Sequence, residues 1–217
     1  MSKLEISANM AENLMGKNKN ELIKMINTLK EENTALKLLQ TLYLKQSERV
    51  EKLERQFYLN QQYQRRNTIE ITGIPDTIAQ NQLQNEVIKI YTAAQIVVDG
   101  DTLERRDIQA CHRIGKKGVT ICKFVNRKFA NEGLYNGRNL KGKDLYGNNS
   151  KVFINNSFCD EYRHINFLVR QAKKNNSIFR WKVKHGVNYI KVNENDDDFE
   201  EISHLNDLVN LKVIAET

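Results

Sequence analysis

The chain has 217 residues, 40% hydrophobic and 28% charged, with a formal net charge of +7. That balance excludes a wholly disordered chain, and no run of apolar residues is long enough for a transmembrane helix. Basic residues outnumber acidic ones by two in 1–64, by five in 65–150 and by seven in 151–192, whereas 193–217 holds one basic residue against eight acidic ones.

A basic body of this kind suits a polyanion, with solubility alone as the plain alternative. The first twenty residues lack an apolar stretch of signal-peptide type, so secretion is not expected. Residues 1–14 are expected to be a flexible N-terminus. From residue 15 to 64 the pattern is heptad. Positions a are Met15, Leu22, Leu29, Leu36, Tyr43, Val50 and Phe57, all apolar. Positions d alternate between apolar Met25, Leu39 and Leu53 and polar Glu32, Gln46 and Asn60. This spacing predicts a coiled coil that joins copies of the chain, as a parallel homotrimer in preference to a dimer.

At Asn67 the period changes from helical to alternating, which marks a domain boundary. Residues 65–157 are read as β-α-β-β-α-β. "TIEITGI" is a strand, broken by Gly73 and Pro75. "NQLQNEVIKIYTAAQI" is a helix with Leu83, Val87, Ile90 and Tyr91 on one face. "DIQACHRI" and "GVTICKFV" are strands joined by "GKKG", "RKFANEGLYNG" is a second helix facing in with Phe129 and Leu134, and "KVFINNS" is a last strand. The order is that of the ferredoxin-like, or split βαβ, arrangement. Its sheet is poor in the aromatic residues on which RNA recognition motifs stack bases.

Residues 158–210 are read as a small basic α/β domain, with 211–217 as a tail. "CDEYRHINFLVRQAKKNN" is a helix with acids in its first turn and lysines in its last. "IFRWKVKHGVNYIKV" is a hairpin turning at His185-Gly186. Arg180, Lys182 and Lys184 alternate with Trp181 and Val183, and Arg163, Arg170, Lys173 and Lys174 extend the basic character from the helix. Such residues, interleaved with Tyr162, Trp181 and Tyr189, suit phosphate contact with occasional base stacking, although Trp181 as a large aromatic suits the core better. The acidic run Asp196–Asp198 raises the question of whether it docks on this basic face. The class of the whole chain is α+β: coiled coil, ferredoxin-like domain, small C-terminal α/β domain.

No catalytic constellation stands out. The four histidines are scattered and the three cysteines form no C-x-x-C pair, so neither metal nor cofactor is expected. "GKKGVT" lacks the spacing of a phosphate-binding loop. An odd number of well-separated cysteines suits free thiols in a reducing compartment.

The ordered set of a coiled coil, "RRNTIEITGIP", "CHRIGKKGVTICKFV" and a small basic domain resembles the first-open-reading-frame protein of LINE-type retrotransposons. The stretch from "VFINNSFCDEYRHINFLVRQAKK" to "VNEN" is also similar to the C-terminal domain of the baculovirus few-polyhedra protein. The resemblance implies a non-enzymatic, homotrimeric single-stranded RNA-binding protein, with DNA as a further substrate. Such a protein coats its transcript, acts as a nucleic-acid chaperone, and works in a cytoplasmic or nuclear ribonucleoprotein. It further implies contacts from Arg65, Arg66 and Asn67, from His112 and Arg113, from Lys123, and from Arg138, with Lys141 close by. In the last domain it implies Arg170 and Lys173. Arg65 and Arg66 also suit a helix C-terminus, which favours cations. For the chain as a whole neither a membrane nor a small-molecule partner is expected. The rival reading is a coiled-coil scaffold acting through proteins, as for a few-polyhedra-like regulator of nucleocapsid or membrane traffic.

Overall fold

The computed structural model describes residues 19–115, 118–147 and 150–214. The chain divides into two compact units, residues 1–54 and 55–217. Helix α1 (Lys19–Gln64) supplies all that is described of the first unit and the opening of the second. No glycine or proline interrupts it. Of the heptad residues, Met15 lies outside the described residues. Met25, Leu29, Leu36, Leu39, Tyr43, Val50, Leu53 and Phe57 are exposed, Leu36 by 65% and Tyr43 by 73%, and Leu22 is half-exposed. Single apolar side chains on a surface are ordinary, but a continuous stripe of them is a surface for association.

The second unit begins ten residues before the boundary expected at 64/65. Its main sheet has strands β1 (Thr68–Thr72), β4 (Ile108–Ile114), β5 (Val119–Phe124) and β6 (Phe153–Asn156), in the order β4-β5-β1-β6, all antiparallel. Helices α2 (Leu83–Ala93) and α3 (Arg127–Asn136) cover one face. α2 buries Leu83, Val87, Ile90 and Tyr91, a one-sided helical spacing. These pack with Ile69, Ile71, Cys122, Phe124 and Phe129 into the first core. The Tyr91 hydroxyl donates to the Phe129 carbonyl (3.0 Å), so its burial leaves no orphan. α3 starts where the Asn126 side chain accepts the Lys128 amide.

Between α2 and β4 the structure adds a hairpin that sequence reading passed over: β2 (Val97–Val98) and β3 (Asp101–Thr102), turning through Asp99 and Gly100, both at positive φ. Asp-Gly is the residue pair this turn favours.

The C-terminal part has α4 (Asp160–Lys174), hairpin strands β7 (Arg180–Lys184) and β8 (Val187–Lys191), strand β9 (Glu200–Ile202) and the short helix α5 (Leu205–Asn210). Strands run in the order β7-β8-β9, antiparallel. The turn at His185 and Gly186 has φ of +53° and +78°, the pair of left-handed residues that matches strand twist. Ile165, Val169, Ile190, Ile202 and Leu208 form a second core. Leu211, Val213 and Ile214 pack on it, so the expected tail from 211 belongs in part to the domain.

The end of α1 is locked to this part. Tyr58 packs on a third cluster of Cys159, Tyr162 and Val187. Gln62 is 3% exposed; its amide donates to the Ser157 carbonyl and its oxygen accepts the Cys159 amide, both at 3.0 Å. Arg55 donates twice to the Asp207 carboxylate, at 2.7 and 3.0 Å. A Cβ on Gly186 would lie 2.1 Å from the Gln62 amide nitrogen, so glycine is needed there for space as well as for φ. Among the described residues no helix is long and apolar enough to cross a membrane.

Candidate nucleic-acid interface

Strand alternation sets which side chains reach the surface. Ile69, Ile71, Thr120, Cys122 and Phe124 point to the helices, which leaves Glu70, Ile121, Lys123, His112 and Phe153 on the opposite face. Phe153 is 55% exposed there, an aromatic on a sheet read as lacking them.

A cleft of about 770 Å³ opens beside β6, the edge strand, with α3 and β6 on one side and α4 and β7 on the other. Arg163, Arg170 and Lys184 line it with positive charge, Glu70 and Glu132 with negative charge, and His185 adds an imidazole. Trp181, Tyr135 and Phe158 supply rings, and Asn131, Asn155, Asn156 and Asn166 supply amides. The Arg170 guanidinium lies 5.8 Å from the centre of the Trp181 ring, and Trp181 is half-buried against the second core. Its two expected roles, core and stacking platform, are therefore compatible in one side chain. Arg163 is partly committed, since it donates to Glu70 (2.8 Å) and to the Phe158 carbonyl. Asn166 donates to Asn188 at 2.8 Å.

A second hollow is lined by Arg66, Asn67, Lys123, Asn126 and Arg127. The Arg66 guanidinium stacks 4.5 Å above the Tyr63 ring. Asn67 serves the fold: its amide donates to the Phe124 carbonyl at 2.6 Å. His185 stands between the two hollows. Loss of hydration, then the charges of Arg66, Lys184 and Arg127, hold its imidazole below the ordinary value. A third hollow, around Leu140, Val152 and Phe153, is rimmed by Arg138, Lys141 and Lys151. Arg138 stacks on Tyr135 at 4.5 Å.

The structure brings Arg163, Arg170, Trp181 and Lys184 together, and Arg66 with Lys123. Arg65 is exposed and reaches the Ser157 hydroxyl at 3.5 Å. Other expected residues stand apart. Arg113 is spent on the loop after β1: its guanidinium donates to the carbonyls of Ile74, Pro75 and Ile78 and to the Asp76 carboxylate. That clamp, 17% exposed, makes it a structural residue. His112 is exposed on the outer strand. Lys173 donates to the Phe179 carbonyl (2.6 Å), and Lys174 is exposed.

Arg180 and Lys182 occupy the face of β7 opposite Trp181. Arg180 lies over Phe179 and Lys182 lies 3.8 Å from the Phe199 ring. The segment carrying the acidic run does lie against this face. It does so through Phe199 and through the carbonyls of Asp196 and Asp197, which accept from Lys191. The Asp196 carboxylate turns back to Asn193.

Sequence reading missed Arg127, Tyr135, His185 and Asn166. The two basic residues after Asn126 carried a signal, because a helix start there turns Arg127 towards Asn67. Among the described residues no group of three or more His, Cys, Asp or Glu side chains is placed to hold a metal ion. No family model and no curated protein matches the chain.

Proposed function

We propose that this chain is a non-enzymatic single-stranded RNA-binding protein that coats RNA as a coiled-coil homotrimer and acts as a nucleic-acid chaperone. The cleft beside β6 supports the reading most strongly, because it combines cations for phosphates, rings for base stacking and amides for base edges. The strand order β4-β5-β1-β6 supports an RNA recognition motif-like sheet. The exposed heptad stripe supports self-association. A cytoplasmic or nuclear ribonucleoprotein is the setting that fits such a role.

Each cation on a phosphate releases condensed counterions, so affinity falls linearly in logarithm as salt rises. The test is fluorescence anisotropy with a labelled single-stranded RNA of ~40 nucleotides at several salt concentrations. Arg170→Ala is expected to weaken binding and to reduce the salt slope by about 1 per bound subunit. Salt-insensitive binding, or none at low salt, would favour the protein-scaffold reading.

A second signature is pH. In the free chain the imidazolium of His185 is disfavoured, so acid destabilises the fold as pH falls through the ordinary imidazole value. Phosphates beside Arg66, Lys184 and Arg127 reverse the sign of the local field and raise that pKa. Binding then takes up protons, and RNA affinity is expected to rise as pH falls from 7.5 to about 5.5. His185→Asn keeps a residue tolerant of positive φ and should flatten that profile; an unchanged profile would remove His185 from the interface.

A further inference from the structure

The β4–β5 pair holds a chemical feature outside the clefts. Cys111 and Cys122 are direct register partners. Either kind of antiparallel pair sets its Cα atoms about 4.5 or 5.5 Å apart, and both fall in the range a disulfide spans. The two side chains share the helix-covered face: Cys122 is fully buried in the first core and Cys111 is half-buried against it. As direct partners on one face of the ladder, the two side chains are neighbours across the strands. Cys111, on the edge strand β4, keeps part of its surface in contact with solvent. Cys159 belongs to another cluster, with Tyr162 and Val187.

We propose that Cys111 and Cys122 are a peroxide-responsive pair that closes into a reversible intramolecular disulfide. The two sulfurs have different roles. The neighbouring Cys122 and then the charge of Arg113 draw the Cys111 thiol below its ordinary value, while the neighbouring Cys111 and then burial push Cys122 up and hold it as a thiol. The Cys111 thiolate attacks one oxygen of hydrogen peroxide, the O–O bond breaks, and a sulfenic acid forms with release of hydroxide, which is protonated to water. The Cys122 sulfur then attacks the Cys111 sulfur. The S–O bond breaks, hydroxide leaves and takes the Cys122 proton, and the S–S bond closes. Two thiols lose two electrons and two protons in all, and one peroxide becomes two waters. A dithiol reductant restores the thiols by exchange.

The test uses the full-length protein, reduced, desalted and exposed to near-stoichiometric hydrogen peroxide. It is then alkylated in denaturant without reductant and weighed intact. The expected product has lost about 2 Da before alkylation and takes up one alkyl group where the reduced chain takes up three. Digestion should yield a peptide linking Cys111 to Cys122, released by dithiothreitol. Cys159→Ala should leave the 2 Da loss intact. Cys111→Ser, at the half-exposed position, and Cys122→Ala should each abolish it. Three outcomes would overturn the proposal: three thiols still alkylated after peroxide, oxygen added at Cys111 with Cys122 still alkylated, or a disulfide joining two chains.

Discussion

Replacing Leu36 and Tyr43 together by glutamine is expected to convert the protein to monomers and to lower its apparent affinity for a 40-nucleotide RNA by roughly a hundredfold or more. Both residues are exposed in the single chain, so the change removes no core contact and leaves the fold of residues 55–217 intact. Glutamine retains good helix propensity, so α1 persists. The loss is one of tethering. In the proposed trimer, once one subunit is bound the others would meet the same RNA at the millimolar effective concentrations typical of short tethers, an advantage that a monomer would lack. Sedimentation equilibrium reads the assembly and anisotropy reads the binding. A short RNA that fits a single subunit supplies the control, because its affinity should not change. A monomer that keeps full affinity for the long RNA would refute the role of the coiled coil in coating.

The second large effect is on stability. Gln62→Ala is expected to cost about 3 kcal/mol in urea unfolding of the full chain, from two buried backbone groups left unpaired at about 1–3 kcal/mol each. Those groups are the Ser157 carbonyl and the Cys159 amide, which the Gln62 side chain now satisfies. Against a usual domain stability of about 5–15 kcal/mol this is a large fraction. Trp181, the single tryptophan, sits on the second core and reports the transition by fluorescence. Gln64→Ala, at an exposed position, should change little. The same geometry predicts that a fragment cut at residue 65 unfolds far more readily than one cut at 55, since it loses Arg55, Tyr58 and Gln62 together. Equal stability of the two fragments would show that the helix end is dispensable.

That cut site shows where sequence reading reached its limit. The change of period at Asn67 marks the end of the helix well, because periodicity reports local backbone and side-chain direction. It carries no information on which non-local surface the last helical turns meet. Gln62 and Arg55 are not heptad a or d residues and carry no local signal, and only the fold brings them to Ser157 and Asp207. The strands with clear alternation, such as Val119–Phe124, were legible for the same local reason. The short β9 and α5 were not, since three strand residues and six helical ones are too few to set a period. Among site residues, the cations of α4 and β7 were legible as charges, but not their division between the cleft and the opposite face. Arg113 shows the converse. The resemblance implied a nucleic-acid contact at Arg113, whereas four acceptors on one loop make it a clamp.

The ion pair between Arg55 and Asp207 also has a consequence in time. Its partners are 152 residues apart in the chain, and at about 5–20 residues per second a ribosome takes roughly 8 to 30 seconds to add that length. Six of the seven apolar a positions, Met15 to Val50, are made before Arg55, and Asp207 follows long after. Throughout that interval the helix is present while the domain it is fastened to remains unfinished. If the helices associate as proposed, chains growing side by side on one message would pair their helices first and close their domains afterwards, so that the assembly would begin its life beside the RNA that encodes it.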